Sequence, residues 1–117
     1  MMKYFKYEEF DSPDLEGSGK GMCPNFLEMI DRARDIAGIP FKINSGMRSK
    51  AWNEHIGGRI GSSHIKGCAA DVHCNNSGNR SKIVAALIQA GFRRCGIAKT
   101  FVHVDCDNEK PNAIWLY

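Results

Sequence analysis

The chain has no long hydrophobic run. None of its 117 residues falls in an apolar stretch approaching the roughly 20 residues that cross a bilayer. The N-terminus, with Lys3, Lys6, Glu8 and Glu9 among its aromatics, has no apolar signal core. Membrane insertion is therefore not expected, and the protein is expected to stay in the cytoplasm, as synthesised, unless another factor releases it. Paired cysteines are missing too. The five that occur, Cys23, Cys68, Cys74, Cys95 and Cys106, are an odd number with no C-x-x-C spacing. That argues against a disulfide framework and suits a reducing compartment. Basic clusters are absent: the net charge is +3, and the lysines and arginines are scattered with no run of four. Charge gives no support for a nucleic-acid partner. Repeats and low-complexity segments are lacking as well.

What is present is ordinary for a soluble globular protein, 43% hydrophobic and 25% charged. The length suits one domain, residues 1–117, with a single core and no demand for more than a monomer. Residues 1–22 begin with Tyr4, Phe5, Tyr7 and Phe10 and pass into a turn-rich loop, which predicts a short strand or aromatic clasp. Pro24 opens a helix whose Phe26, Leu27, Ile30, Ala33 and Ala37 form one apolar face, and Gly38 with Pro40 stops it. Residues 41–45 alternate as a strand. Ser49 is placed to cap a short helix from Lys50 to Ile56, ended by Gly57 and Gly58. Residues 67–74 read as a buried strand with Ala69, Asp71 and His73 on one face. Asn75 to Asn79 reads as a turn, and Ser81 as the cap of a second amphipathic helix ending at Gly91. Residues 94–98 and 101–106, joined by Lys99 and Thr100, predict a hairpin with Phe101, His103 and Asp105 on one face. Ala113 to Tyr117 reads as a packed tail strand. The expected architecture is α+β, a small, mainly antiparallel sheet with two main helices.

Within that frame three residues carry chemistry. His64 follows a glycine-bearing loop, Asp71 sits in an apolar strand, and His103 lies between two valines. A carboxylate in an apolar strand is expensive unless paired or metal-bound. Two imidazoles and a carboxylate are a catalytic zinc's ligand set, with the fourth position left for water. The spacing alone equally allows a surface His64, an Asp71 bonded to loop amides and a hydrogen-bonded core His103. A further alternative is a structural zinc on Cys68, Cys74, Cys106 and His73, although the paired knuckles of such sites are missing. Cys23 and Cys95 read as small core residues.

Ser45 to Ser49, Asn53, Gly57-Gly58, the run from Ser63 and His64 through Gly67 and Ala69 to Asp71, and Phe101 to Asp105 together resemble the zinc D-Ala-D-Ala carboxypeptidase family. They are most similar to its short, phage-encoded members, which include peptidoglycan endopeptidases cutting between L-Ala and D-Glu. Phe10 to Asp14 and Ala37 to Pro40 share the likeness, which covers about residues 4–106. The resemblance implies the fold of D-Ala-D-Ala peptidases and hedgehog-like domains. It implies one catalytic Zn²⁺ on His64, Asp71 and His103, with Arg48 and Ser63 on the substrate side. A guanidinium there would fork onto a substrate carboxylate or stabilise an oxyanion.

One position departs from the pattern. Larger relatives carry the acidic general base three residues before the last zinc histidine, and here that residue is Thr100. Asp105, on the face of His103, is the substitute base; its alternative is to orient a zinc ligand. The implied partner is a peptidoglycan stem peptide, and the implied setting a phage or prophage cell-wall hydrolase. A zinc-containing wall-binding module without turnover is the alternative.

Overall fold

The computed structural model describes residues 2–117. Two helices and a five-stranded sheet dominate it. Helix α1 is Pro24–Ala37, strand β1 Ile43–Ser45, helix α2 Lys50–His55, strand β2 Ala69–His73 and helix α3 Ser77–Gln89; strands β3 Arg94–Ile97, β4 Phe101–Asp105 and β5 Ala113–Leu116 follow. The sheet order is β1-β2-β4-β3-β5. Every pairing is antiparallel except β3 with β5. The α+β reading and the predominantly antiparallel sheet are thus what the chain forms. No helix among the described residues is long and apolar enough to cross a membrane.

The sheet has one dry face and one chemical face, and strand alternation makes both. Ala70, Val72, Val102, Val104 and Cys95 are fully buried against Phe26, Leu27 and Ile30 of α1 and Ile83, Ala86 and Leu87 of α3. Phe26 meets Phe92, just past α3, edge to face with centroids 5.5 Å apart. Each large aliphatic side chain here contributes about 1.5–3 kcal/mol over leaving it exposed. The residues between them, Asp71, His103, Asp105 and Gly96, necessarily face the other way.

Local readings mostly hold, with three corrections. The N-terminal aromatics form no strand: Tyr7–Phe10 is a 3₁₀ turn, and Phe5 packs edge-on against Phe10 at 5.4 Å, which is the clasp. Gly46 is where that clasp meets the site, since a Cβ there would lie 2.8 Å from the Phe10 Cα. Strand β1 is shorter than expected and bulged. Ile43 pairs with Val72 but Ser45 pairs with Asp71, an extra residue that turns Ser45 toward the chemical face. Finally, α3 starts a turn before Ser81. Asn76 is its cap, accepting the Asn79 N–H at 2.8 Å, so Asn75–Asn79 is not merely a turn. By contrast Ser49 caps α2 as expected, accepting from the Trp52 N–H at 3.0 Å.

The capping correction is measurable. Asn76→Ala should destabilise the protein by about 1 kcal/mol, whereas Ser81→Ala, now mid-helix, should change it by less than about 0.5 kcal/mol. Urea unfolding of the two variants reads the difference, and equal losses would restore Ser81 as the cap.

Candidate metal centre

β2 and β4 bring the first two candidate ligands together by register. Cys106 N–H bonds the Cys68 carbonyl at 3.0 Å and Cys74 N–H the Thr100 carbonyl at 2.9 Å. Those bonds fall on the even-numbered pairs of the ladder. Asp71 and His103 are partners on an odd-numbered, non-hydrogen-bonded pair, where facing side chains lie closest. His103 Nδ1 is 2.9 Å from Asp71 Oδ1. The third candidate comes from the loop ahead of β2. Gly67 lets that loop turn, with φ at +75° and the Gly21 carbonyl only 2.9 Å from where a Cβ would stand. His64 is 3% exposed. Its Nδ1–H donates to the Gly46 carbonyl at 2.8 Å, which turns Nε2, the nitrogen a metal would take, toward Asp71 Oδ1 at 3.4 Å.

The same logic fixes His103. Its Nε2–H donates to Asp105 Oδ2 at 2.8 Å, so with a metal bound the proton would stay there and the Nδ1 lone pair would be the one left for the ion. The donor atoms of His64, Asp71 and His103 all lie within 4.8 Å of one another. Two imidazole nitrogens and one carboxylate oxygen, each presented by a partner behind it, fit a zinc ion with one position open. Among the described residues no cysteine joins such a cluster. Cys68 Sγ points at the Ser63 carbonyl and Cys74 Sγ at the Asn76 carbonyl, so the sulfur-based alternative has no site. Cys95 is a core residue, as read, and burial pushes its thiol up to about 11.

Electrostatics follow from burial set against partners. Burial works to raise Asp71, but His103 and His64 outweigh it and hold the carboxyl well below its ordinary range. Burial works to lower the His103 imidazole, while Asp105 and Asp71 on its two sides raise it. Arg48 is drawn down by burial and pushed back by Asp71; a guanidinium stays charged throughout. Its Nε donates to Ser45 Oγ at 3.1 Å and its Nη1 to Asn53 Oδ1 at 3.2 Å. Nη2 stands 3.6 Å from Asp71 Oδ2, an ion pair beyond hydrogen-bond reach. Arg48 thus stands beside the candidate cluster.

Ser63 and Asp105 are placed differently from Arg48. Ser63 is 3% exposed; its hydroxyl donates to Asp107 Oδ2 at 2.7 Å and accepts from Lys110 Nζ at 2.9 Å. Lys66 Nζ reaches the same Asp107 at 3.0 Å. Asp107, held well below the usual carboxylate range by Ser63 and Lys66 despite its burial, ties the His64 loop to the exit of β4. Asp105 lies on the opposite side of the His103 ring from Asp71 and is 1% exposed. Its Oδ1 takes Arg94 Nε at 2.7 Å and the Asp107 N–H at 3.1 Å. Thr100 is exposed at the hairpin turn.

The profile of the Peptidase M15 family matches residues 3–107, nearly the whole chain. The protein belongs to the peptidase M15 family. The family is one of zinc metallopeptidases, and the His64, Asp71 and His103 cluster is this chain's candidate seat for one metal ion. No curated protein matches the chain.

Three contributors to this M15 centre escaped the sequence reading. Arg94 was within reach, since the Lys99-Thr100 connection sets Arg94 opposite Asp105. Asp107 and the Gly46 carbonyl had no local signal; they meet Ser63 and His64 only through the tertiary fold.

Metal analysis after dialysis should separate ligands from bystanders. His64→Ala should weaken zinc binding by more than about 100-fold, while Cys74→Ser and Cys106→Ser leave it near wild type. Loss of metal from either serine variant with retention in His64→Ala would reverse the assignment.

Proposed function

We propose that this M15 protein is a zinc-dependent peptidase that hydrolyses peptide bonds in the stem peptides of bacterial peptidoglycan, either as a D-Ala-D-Ala carboxypeptidase or as an L-Ala-D-Glu endopeptidase. Its setting would be a phage or prophage cell-wall hydrolase acting on the wall after release. The observation that carries this reading is the convergence of His64 Nε2, Asp71 Oδ1 and His103 Nδ1 with the Arg48 guanidinium alongside. Zinc bound there would polarise the scissile carbonyl and lower the pKa of its water.

The chain's own residues supply the rest. His64, Asp71 and His103 would hold the ion, and the Gly46 carbonyl and Asp105 keep both imidazoles in the ligating tautomer. Arg48 is anchored at Nε and Nη1, so its orientation is set before substrate arrives. The Nη2 edge near Asp71 would donate to the developing oxyanion or to a substrate carboxylate. Asp105 is assigned to His103 rather than to the attacking water, because both of its oxygens are engaged and it is 1% exposed. Ser63, held by Asp107 and Lys110, would secure the His64 loop and contribute to substrate binding only through it.

Mass spectrometry of purified muropeptides incubated with the protein tests the activity. New fragments that vanish with chelator and return with zinc are expected, and their masses identify the bond. No fragments from a folded, zinc-loaded sample would favour the wall-binding module, a reading that the unacidic Thr100 supports.

Asp105→Asn tests the role of that carboxylate. An amide offers a donor to Nε2, which moves the imidazole proton to Nδ1 and blocks ligation. Zinc affinity should fall by about 10–100-fold. Full zinc affinity with turnover abolished would instead make Asp105 the general base.

A further inference from the structure

β5 lies beyond residues 3–107, the stretch that matches the family, yet it reaches a metal ligand. Across β4, β3 and β5 the successive partners are His103, Gly96 and Trp115. The indole touches the imidazole by leaning across the glycine between them, with ring centroids 5.5 Å apart. A Cβ at Gly96 would stand 2.5 Å from Trp115 Nε1 and 2.6 Å from Tyr117 Cε2. Gly96 is not among the glycines with positive φ. Its backbone would accept any residue; the room for the indole is what excludes a side chain.

Arg94 holds the indole in place. Its guanidinium carbon sits 4.8 Å from the ring centre of Trp115. The same group pairs with Asp105 through Nε at 2.7 Å and donates through Nη1 to the Pro111 carbonyl. One arginine therefore joins the carboxylate behind His103, the ring beside it, and the segment leading into β5.

The Nε2–H bond to Asp105 fixes that nitrogen but leaves the ring free to rock about it. Rocking swings the Nδ1 lone pair away from the ion. A flat group against the ring stops it, and Trp115 is that group, with His64 on another side at 5.2 Å.

We propose that Trp115, pinned by Arg94 and admitted by Gly96, is a positioning residue for the metal ligand His103, so that β5 sets the metal affinity of the centre. The proposal rests on the metal-centre reading above. The outer partners of ligating histidines typically govern affinity by about 10–100-fold.

The test uses the full chain with Trp115→Ala, Trp115→Phe, Gly96→Ala and, as a control on the solvent side of β5, Leu116→Ala. Zinc affinity is measured by competition with a chromophoric chelator, and ligand geometry by the visible spectrum of the cobalt-substituted protein. Trp115→Ala is expected to bind zinc about 10-fold more weakly, with a shifted cobalt spectrum. Trp115→Phe should recover most of the affinity, and Leu116→Ala should match wild type. Gly96→Ala, which displaces the indole without touching a ligand, should move both readouts as Trp115→Ala does, and it decides the matter if Trp115→Ala does not fold. Wild-type zinc affinity and an unchanged cobalt spectrum in folded Trp115→Ala and Gly96→Ala would overturn the proposal. A wild-type protein that binds no zinc would instead overturn the metal-centre reading on which it stands.

Discussion

The imidazole of His103 is held from both ends, by Asp105 at Nε2 and by Asp71 at Nδ1, and each carboxylate is ionised at a buried or nearly buried position. Burying such charges is costly unless a cation or donor stands against each one. Arg94 answers Asp105, and Arg48 answers Asp71. The result is a chain of alternating charge that runs over the sheet from Arg48 through Asp71, His103 and Asp105 to Arg94. A cation placed between His64, Asp71 and His103 would take the place of the His103 Nδ1 proton in that chain and keep its alternation.

The alternation is possible because the strand period sorts the side chains so strictly. Val102 and Val104 go to the helices, while Phe101, His103 and Asp105 go to the chemical face. Moving β4 by one residue would turn the imidazole into the apolar core and two valines onto the chemical face, so the core on one side enforces the register of the candidate ligands on the other. Packing of α1 and α3 is therefore part of the candidate metal site's construction, although neither helix contributes a residue to the cluster.

How much of this could be read from the residues depends on the range over which each feature is encoded. The β3–β4 hairpin, with its two-residue connection and alternating pattern, was legible because both signals are local. So was α1, with Pro24 and Gly38 marking its ends. The start of α3 was not. Its first turn, Ser77 to Arg80, has no apolar face, so nothing periodic distinguishes it from a loop, and Asn76 and Ser81 look equally suited to cap. The cluster of His64, Asp71 and His103 was visible as residue types and as a family resemblance. The partners that aim the ligands were not, because the Gly46 carbonyl has no side-chain signature and Asp107 lies 44 residues from Ser63. The β1 bulge was hidden for the same reason, being a relation between strands.

The placement of β5 has a practical side. It is an edge strand followed by Tyr117, whose ring packs at a tilt against Phe101 and edge-on against Trp115, the neighbour of His103. Anything fused after Tyr117 therefore emerges beside the candidate metal centre, and a polyhistidine tag there would offer competing imidazoles to an ion bound at it. Lys3 and Tyr4, whose N–H groups bond Asp31 on α1, belong to the helical side of the molecule. An affinity handle joined at that end would leave the ion to the protein's own ligands.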